Sequence, residues 1–194
     1  MPNHVINRLT FDCSEDRLKQ ILSEICYDKD SDEDQKGIGT IDFNKITPMP
    51  ESLNIECGSN TDDGINLYLT SINPSVDYFG TEKLDRKQLN GIVEKLHKLN
   101  HYSSYETHLS PDKIKVMTKY HSADELVQLG KTAVENLLNH GALTWYDWRN
   151  RSDTWNTKWN SYESEYDGGN EIRFHTAWDA PHPIIKKLSK RYPD

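Results

Sequence analysis

The sequence predicts an α+β protein with strands toward the two ends of the chain and helices between them. Three observations carry this. Apolar and polar residues alternate over His4 to Phe11 and again over Glu171 to Trp178, the period of a half-buried strand. Stripes at helical spacing run through Leu84 to Asn100 and Ser122 to Asn139. Four of the five Trp crowd into Thr144 to Tyr162, and the fifth, Trp178, lies in the strand that follows. Trp buries more apolar area than any other side chain, so Trp145, Trp148, Trp155, Trp159 and Trp178 are expected to form a structural keystone.

In the first strand Val5, Leu9 and Phe11 share a face, while Arg8 and Thr10 point away. Asn7 falls on the apolar face and so needs a hydrogen-bond partner. Ser14 then caps a helix, with Glu15 and Asp16 in the first turn, where the macrodipole favours acids. Leu18, Ile21, Leu22 and Ile25 form its buried stripe, and it ends near Tyr27. Asp28 to Lys36 is a charge run. Asp28, Asp30 and Asp32 imitate a calcium loop, but Glu33 stands where glycine is needed and Gly39 where Glu is needed, so a solvated loop is expected. Gly39 to Ile46 alternates through Ile41 and Phe43 and predicts a second strand, broken by Thr47-Pro48-Met49-Pro50.

Thr61 is expected to cap a helix whose stripe is Ile65, Tyr68, Leu69 and Ile72; Asn73-Pro74 stops it. The helix from Leu84 buries Leu89, Ile92, Val93, Leu96 and Leu99. Its His97 stands one turn from His101, a metal-ligand spacing, but no third ligand is signalled and no metal is expected. Pro111 to Tyr120 reads two ways: Ile114, Val116 and Thr118 alternate as in a strand, while Ser110-Pro111-Asp112 looks like a helix start, and the balance falls to a helix. Ser122 and Glu125 form a capping box for the clearest helix, which Gly141 ends. Thr144 caps a turn carrying Trp145 and Trp148. Ser161 to Tyr166 and Glu171 to Trp178 read as a hairpin around Asp167-Gly168-Gly169-Asn170, with Ile172, Phe174, Thr176 and Trp178 on one face. Pro181 and Pro183 start a last helix, Ile184, Ile185 and Leu188 inward and Lys186, Lys187, Lys190 and Arg191 outward.

Apolar residues make up only 35% of the 194, so aromatics must fill much of the core. The net charge of -8 argues against duplex DNA, which demands a basic footprint, and suits docking on a basic protein surface. Cys13, Cys26 and Cys57 form no C-x-x-C pair; reduced thiols in a cytoplasm are the expectation. No apolar run approaches membrane-spanning length. No P-loop, G-x-S-x-G, H-E-x-x-H or dinucleotide fingerprint occurs, so neither cofactor nor catalytic residue is expected. His175 and Asp147 are the two candidates for acid–base chemistry, and neither has a partner readable from sequence. Asp147, Arg149 and Asp153, beside the aromatics, read as a salt bridge or cap.

Several short motifs match one family in combination. They are Met1-Pro2-Asn3-His4-Val5 with Asn7-Arg8-Leu9, Phe43-Asn44-Lys45-Ile46 before Pro48-Met49-Pro50-Glu51, Thr144-Trp145-Tyr146-Asp147-Trp148, Thr157-Lys158-Trp159-Asn160, and Phe174 through Trp178 to Pro183. The chain resembles the YubB/Api-like proteins of plasmids, phages and genomic islands, which carry a ferredoxin-like domain. The resemblance implies a β-α-β-β-α sheet domain over 1–46 and 161–194, with a helical insertion over 47–160 packed on it through the Trp cluster. A ferredoxin-like sheet closes with a further strand after the last helix. Either the strand at 161–166 takes that place or the sheet keeps an open edge, which would pair with another chain and allow a homo-oligomer.

The expected function is a non-enzymatic interaction protein of a mobile genetic element. It would bind and inhibit a host or rival protein, one with a basic nucleic-acid channel, as anti-CRISPR and other anti-defence proteins do. Asp28, Asp30, Asp32, Glu33 and Asp34, with Asp62 and Asp63, are the expected binding residues. The alternative is a single-stranded nucleic-acid-binding module using Tyr162, Tyr166 and the basic face of Lys186, Lys187, Lys190 and Arg191. An enzyme acting on nucleotides or nucleic acid ranks last.

Overall fold

The computed structural model describes residues 3–31, 33–77, 79–99 and 104–193; Asp32 and His101 lie outside them. The elements are β1 (His4–Thr10), α1 (Glu15–Ile25), α2 (Ser59–Ile72), α3 (Arg86–Leu99), α4 (Pro111–Met117), α5 (Ala123–His140), α6 (Trp145–Arg149), β2 (Tyr162–Glu165), β3 (Glu171–Ala177) and α7 (His182–Arg191). They fall into two compact units, Met1–Met49 with Arg149–Asp194, and Pro50–Trp148.

In the first unit the three strands form an antiparallel sheet in the order β1-β3-β2. With α1 after β1 and α7 after β3, the succession is the expected β-α-β-β-α. Leu18, Ile21, Leu22 and Ile25 of α1, Ile172 and Phe174 of β3, and Ile184 and Leu188 of α7 are all buried. Each such side chain contributes about 1.5–3 kcal/mol by leaving water. Asn7 meets its requirement on the buried face: its amide donates to Thr176 Oγ1 at 2.9 Å, within the reach of the β1–β3 pairing. Ser14 caps α1 by accepting from the Arg17 N–H.

The second strand is not Gly39 to Ile46. Ile41 and Phe43 are buried as the alternation requires, but the backbone there makes no ladder beyond one isolated bridge between Ile38 and Thr40. The Asp42 carboxylate accepts from Asn44 N at 2.9 Å and starts a 3-10 turn over Phe43–Lys45, while Asp42 N donates to Ile25 O at the end of α1. Short polar side chains that bond their own backbone compete with strand pairing in this way. The hairpin strand β2 takes the second place in the sheet instead.

The second unit is helical. Ile65, Leu69 and Ile72 of α2, Leu89, Ile92 and Leu96 of α3, and Ala133, Val134 and Leu137 of α5 share one core cluster. The α2 helix begins at Ser59, two residues before the expected cap; Thr61 lies inside the first turn and its hydroxyl donates to Glu56 O at 2.5 Å. Ser122 and Glu125 form the capping box, and Gly141 takes the left-handed conformation at φ 69°.

The indoles divide between the units by sequence, Trp145 and Trp148 in the second and Trp155, Trp159 and Trp178 in the first. Trp155 is fully buried, edge-on to Phe43 at 5.6 Å, and its Nε1 donates to Thr47 O at 2.9 Å. Trp178 does not join it. A φ of +79° turns Trp178 off the apolar face of β3 and leaves it 44% exposed.

Candidate functional site

In the first unit, the loop after α1 and the segment entering β2 frame a cleft of about 510 Å³. Asn160 holds its floor. Asn160 Oδ1 accepts from Phe43 N at 2.8 Å and Ser161 N at 3.0 Å, and its amide donates to Asp42 Oδ1 at 2.8 Å. Tyr27 donates its hydroxyl to Ser161 O at 2.9 Å. Burial, reinforced by Glu33 and Asp42, pushes the Tyr27 phenol far above its usual range, so it stays a neutral donor. The Arg149 guanidinium lies 4.6 Å from the centre of the Trp155 ring. Burial pulls its pKa down, while Tyr27, Glu33 and Asp42 pull it back up.

A second hollow of about 340 Å³ adjoins the first and adds Asp34, Gln35 and Glu163 to the wall. Glu163 reaches it through a β-bulge. Tyr162 pairs with His175 and Glu165 with Arg173, so β2 spends one residue more than β3 between the two pairs. Glu163, at φ 46°, is in the bulge and sets its carboxylate 2.6 Å from His175 Nδ1. A bulge of this kind re-aims a side chain beside a site. Glu33 and Asp42 share the first hollow with Arg149, and Glu33, Asp34 and Glu163 line the second. Tyr27, Trp159 and Tyr162 supply aromatic wall, with Trp159 and Tyr162 edge-on at 5.8 Å. Acids beside aromatic faces attract cations.

Of the acidic loop, Glu33 and Asp34 line this site. Asp28 instead pairs with Lys45 at 2.7 Å, and Asp30 is exposed. Asp62 and Asp63 belong to the second unit, where burial and then the charges of Asp63 and Asp147 raise the Asp62 pKa. Tyr162 lines the acidic cleft, whereas Lys186, Lys187 and Lys190 border a separate groove with His182. Lys187 is tied to Thr47 Oγ1 at 2.9 Å, and Arg191 to Glu24 at 3.2 Å. Tyr166 bonds Gly169 O within its hairpin. Tyr162 and the three lysines thus line different hollows.

Asp147 serves as a cap: one carboxylate oxygen accepts from Leu143 N and Thr144 N, each at 3.2 Å. Asp153 pairs with Arg151 at 2.5 Å. His175 lies edge-on to Tyr162 at 5.8 Å and faces Glu163. Among the described residues, no group of three or more His, Cys, Asp or Glu is arranged to hold a metal ion. No helix among them is long and apolar enough to cross a membrane. Sequence reasoning missed Tyr27, Asp42 and Glu163 as site residues. The one local signal was Asp42 two residues before Asn44, a turn pattern inside an apparent strand.

No curated protein and no solved structure matches the chain. A family model described as the ferredoxin-like domain in Api92-like protein matches residues 154–194. That stretch holds β2, β3 and α7, which supply two of the three strands of the sheet. The fold is thus α+β with a ferredoxin-like domain, and over its last elements the chain is similar to an Api-like family.

Proposed function

We propose that this chain is a non-enzymatic interaction protein of a mobile genetic element, one that docks on a basic host or rival protein and inhibits it in the manner of anti-defence proteins. The observation that carries the reading is the cleft: Glu33, Asp34, Asp42 and Glu163 gathered around aromatic walls, in a chain of net charge -8. A lysine or arginine of the partner would meet carboxylate and π-face together. The similarity to an Api-like family supports the mobile-element setting.

The single-strand reading is less well supported. Stacking platforms for bases combine aromatics with cations that track phosphate. Beside Tyr162 stands Glu163, and the exposed lysines of α7 border another groove.

The test is calorimetric titration of the purified chain with an arginine-rich peptide and with an acidic peptide of equal length. Binding of the basic peptide alone is expected, weakened by salt and by Glu33→Lys with Asp34→Lys. Capture from host lysate should then return a basic protein that the double variant loses. Equal binding of both peptides, or an unchanged affinity in the variant, would remove the reading.

A further inference from the structure

The two edges of the sheet are treated differently. β2 is short, bulged at Glu163, and has its outer side occupied: the Gln35 amide donates to Ser164 O at 3.0 Å and accepts from Ser164 N at 2.5 Å. These are devices that blunt an edge. β1 has none of them. It runs seven residues in unbroken register with β3, contains no Pro, Gly or Lys, and holds Ile6 71% exposed at its middle.

Hydrogen-bond parity gives the direction of its unpaired groups. Trp178 N donates to Asn3 O at 2.7 Å, and Phe11 N donates to Asn170 O at 2.8 Å. In an antiparallel ladder alternate residues bond the same neighbour. The odd-numbered residues therefore face β3, and the backbones of His4, Ile6, Arg8 and Thr10 face outward. Among the described residues none of these four backbones bonds another strand.

We propose that a second copy of this chain covers that edge, joining β1 to β1 and extending two three-stranded sheets into one of six strands. A two-fold axis makes identical strands pair antiparallel. Full overlap of residues 4–10 places Asn7 on the axis, His4 opposite Thr10 of the partner subunit, and Ile6 opposite Arg8 of the partner subunit. The outward donors and acceptors then match in parity along the whole strand. Arg8, already paired with Glu171, meets an aliphatic side chain rather than its own copy, so no like charges oppose each other. Ile6 gains the stem of the facing arginine as cover. A seven-residue edge is about 23 Å long and one strand wide, so the contact is small and the dimer is weak.

The test is sedimentation velocity of the full chain over a ~100-fold concentration range. The wild type is expected to pass from monomer to dimer. Ile6→Lys faces Arg8 of the partner subunit and should weaken the dimer by ~10-fold or more. Ile6→Glu faces the same arginine and should hold or tighten it. Ile6 is exposed, so both variants should keep the wild-type circular dichroism and melting temperature. A wild type that stays monomeric throughout, even one that binds an extended peptide at this edge, overturns the proposal. So does an equal loss in both variants, since only the paired register distinguishes Lys from Glu. Neither result bears on the cleft, whose charges lie on other segments.

Discussion

Gly64 of α2 and Gly130 of α5 meet backbone to backbone. A Cβ on Gly64 would stand 2.5 Å from Leu126 O, and one on Gly130 would overlap the carbonyl of Gly64. The obstacle on each side is main chain, which cannot turn aside. Gly130→Ala should therefore destabilise the helical unit by about 1–3 kcal/mol despite its better helix propensity. Urea denaturation followed by circular dichroism at 222 nm would register the loss as a lower midpoint.

Trp155 and Trp178 make a paired test of where the core lies. Trp155→Ala removes a fully buried ring that bonds Thr47 O and meets Phe43, and should cost about 3–5 kcal/mol. Trp178→Ala should cost less than about 1 kcal/mol, because its ring is 44% exposed beneath Lys158. Similar losses in thermal melts of the two variants would contradict this division.

Glu163 sits in a left-handed conformation that glycine adopts without penalty. Glu163→Gly should relieve strain of about 1 kcal/mol and lose only a surface pairing with His175, leaving the melting temperature equal or higher. The same change removes a carboxylate from the cleft, so affinity for a basic peptide should fall several-fold. Glu163→Gln keeps the strain and should weaken binding without the gain in stability.

Burial raises the Asp147 carboxyl above the ordinary aspartate value, against hydrogen bonds from Thr144 and Leu143 that lower it. The unfolded chain ionises this group first, so its contribution is most favourable at low pH and declines as pH rises from the ordinary value, about 4, through the raised one. Asp147→Asn keeps an acceptor and removes the titration. The difference in unfolding free energy between variant and wild type should move in the variant's favour from pH 3.5 to 6.5. A difference that moves the other way would show the carboxylate to be stabilised by its bonds more than burdened by its burial.

Elements with local punctuation were legible. Ser122 with Glu125, Gly141, and the Gly168-Gly169 turn marked a helix start, a helix end and a hairpin, because caps and turns depend on a few adjacent residues. Gly39 to Ile46 was misread because its apolar alternation is real while its backbone is claimed by Asp42, Asn160 and α1. Periodicity reports burial, not the destination of the N–H groups. Trp178 was misread because nothing in the alternation of β3 signals a positive φ at its next residue. The cleft was half legible: Glu33, Asp34 and Tyr162 stood out by charge or by aromatic context, but Tyr27 and Asp42 meet Glu163 only because a chain return of about a hundred residues brings their two segments together.

The pairing of β1 with β3 joins residues 4–10 to residues 171–177. During synthesis the first strand emerges long before its mate, and the whole of Pro50–Trp148 is made in between. Contacts this distant along the chain form late and slow folding. A ribosome-bound intermediate should therefore carry a finished helical body and an orphan strand with both flanks bare, open to capture by chaperones until the hairpin arrives.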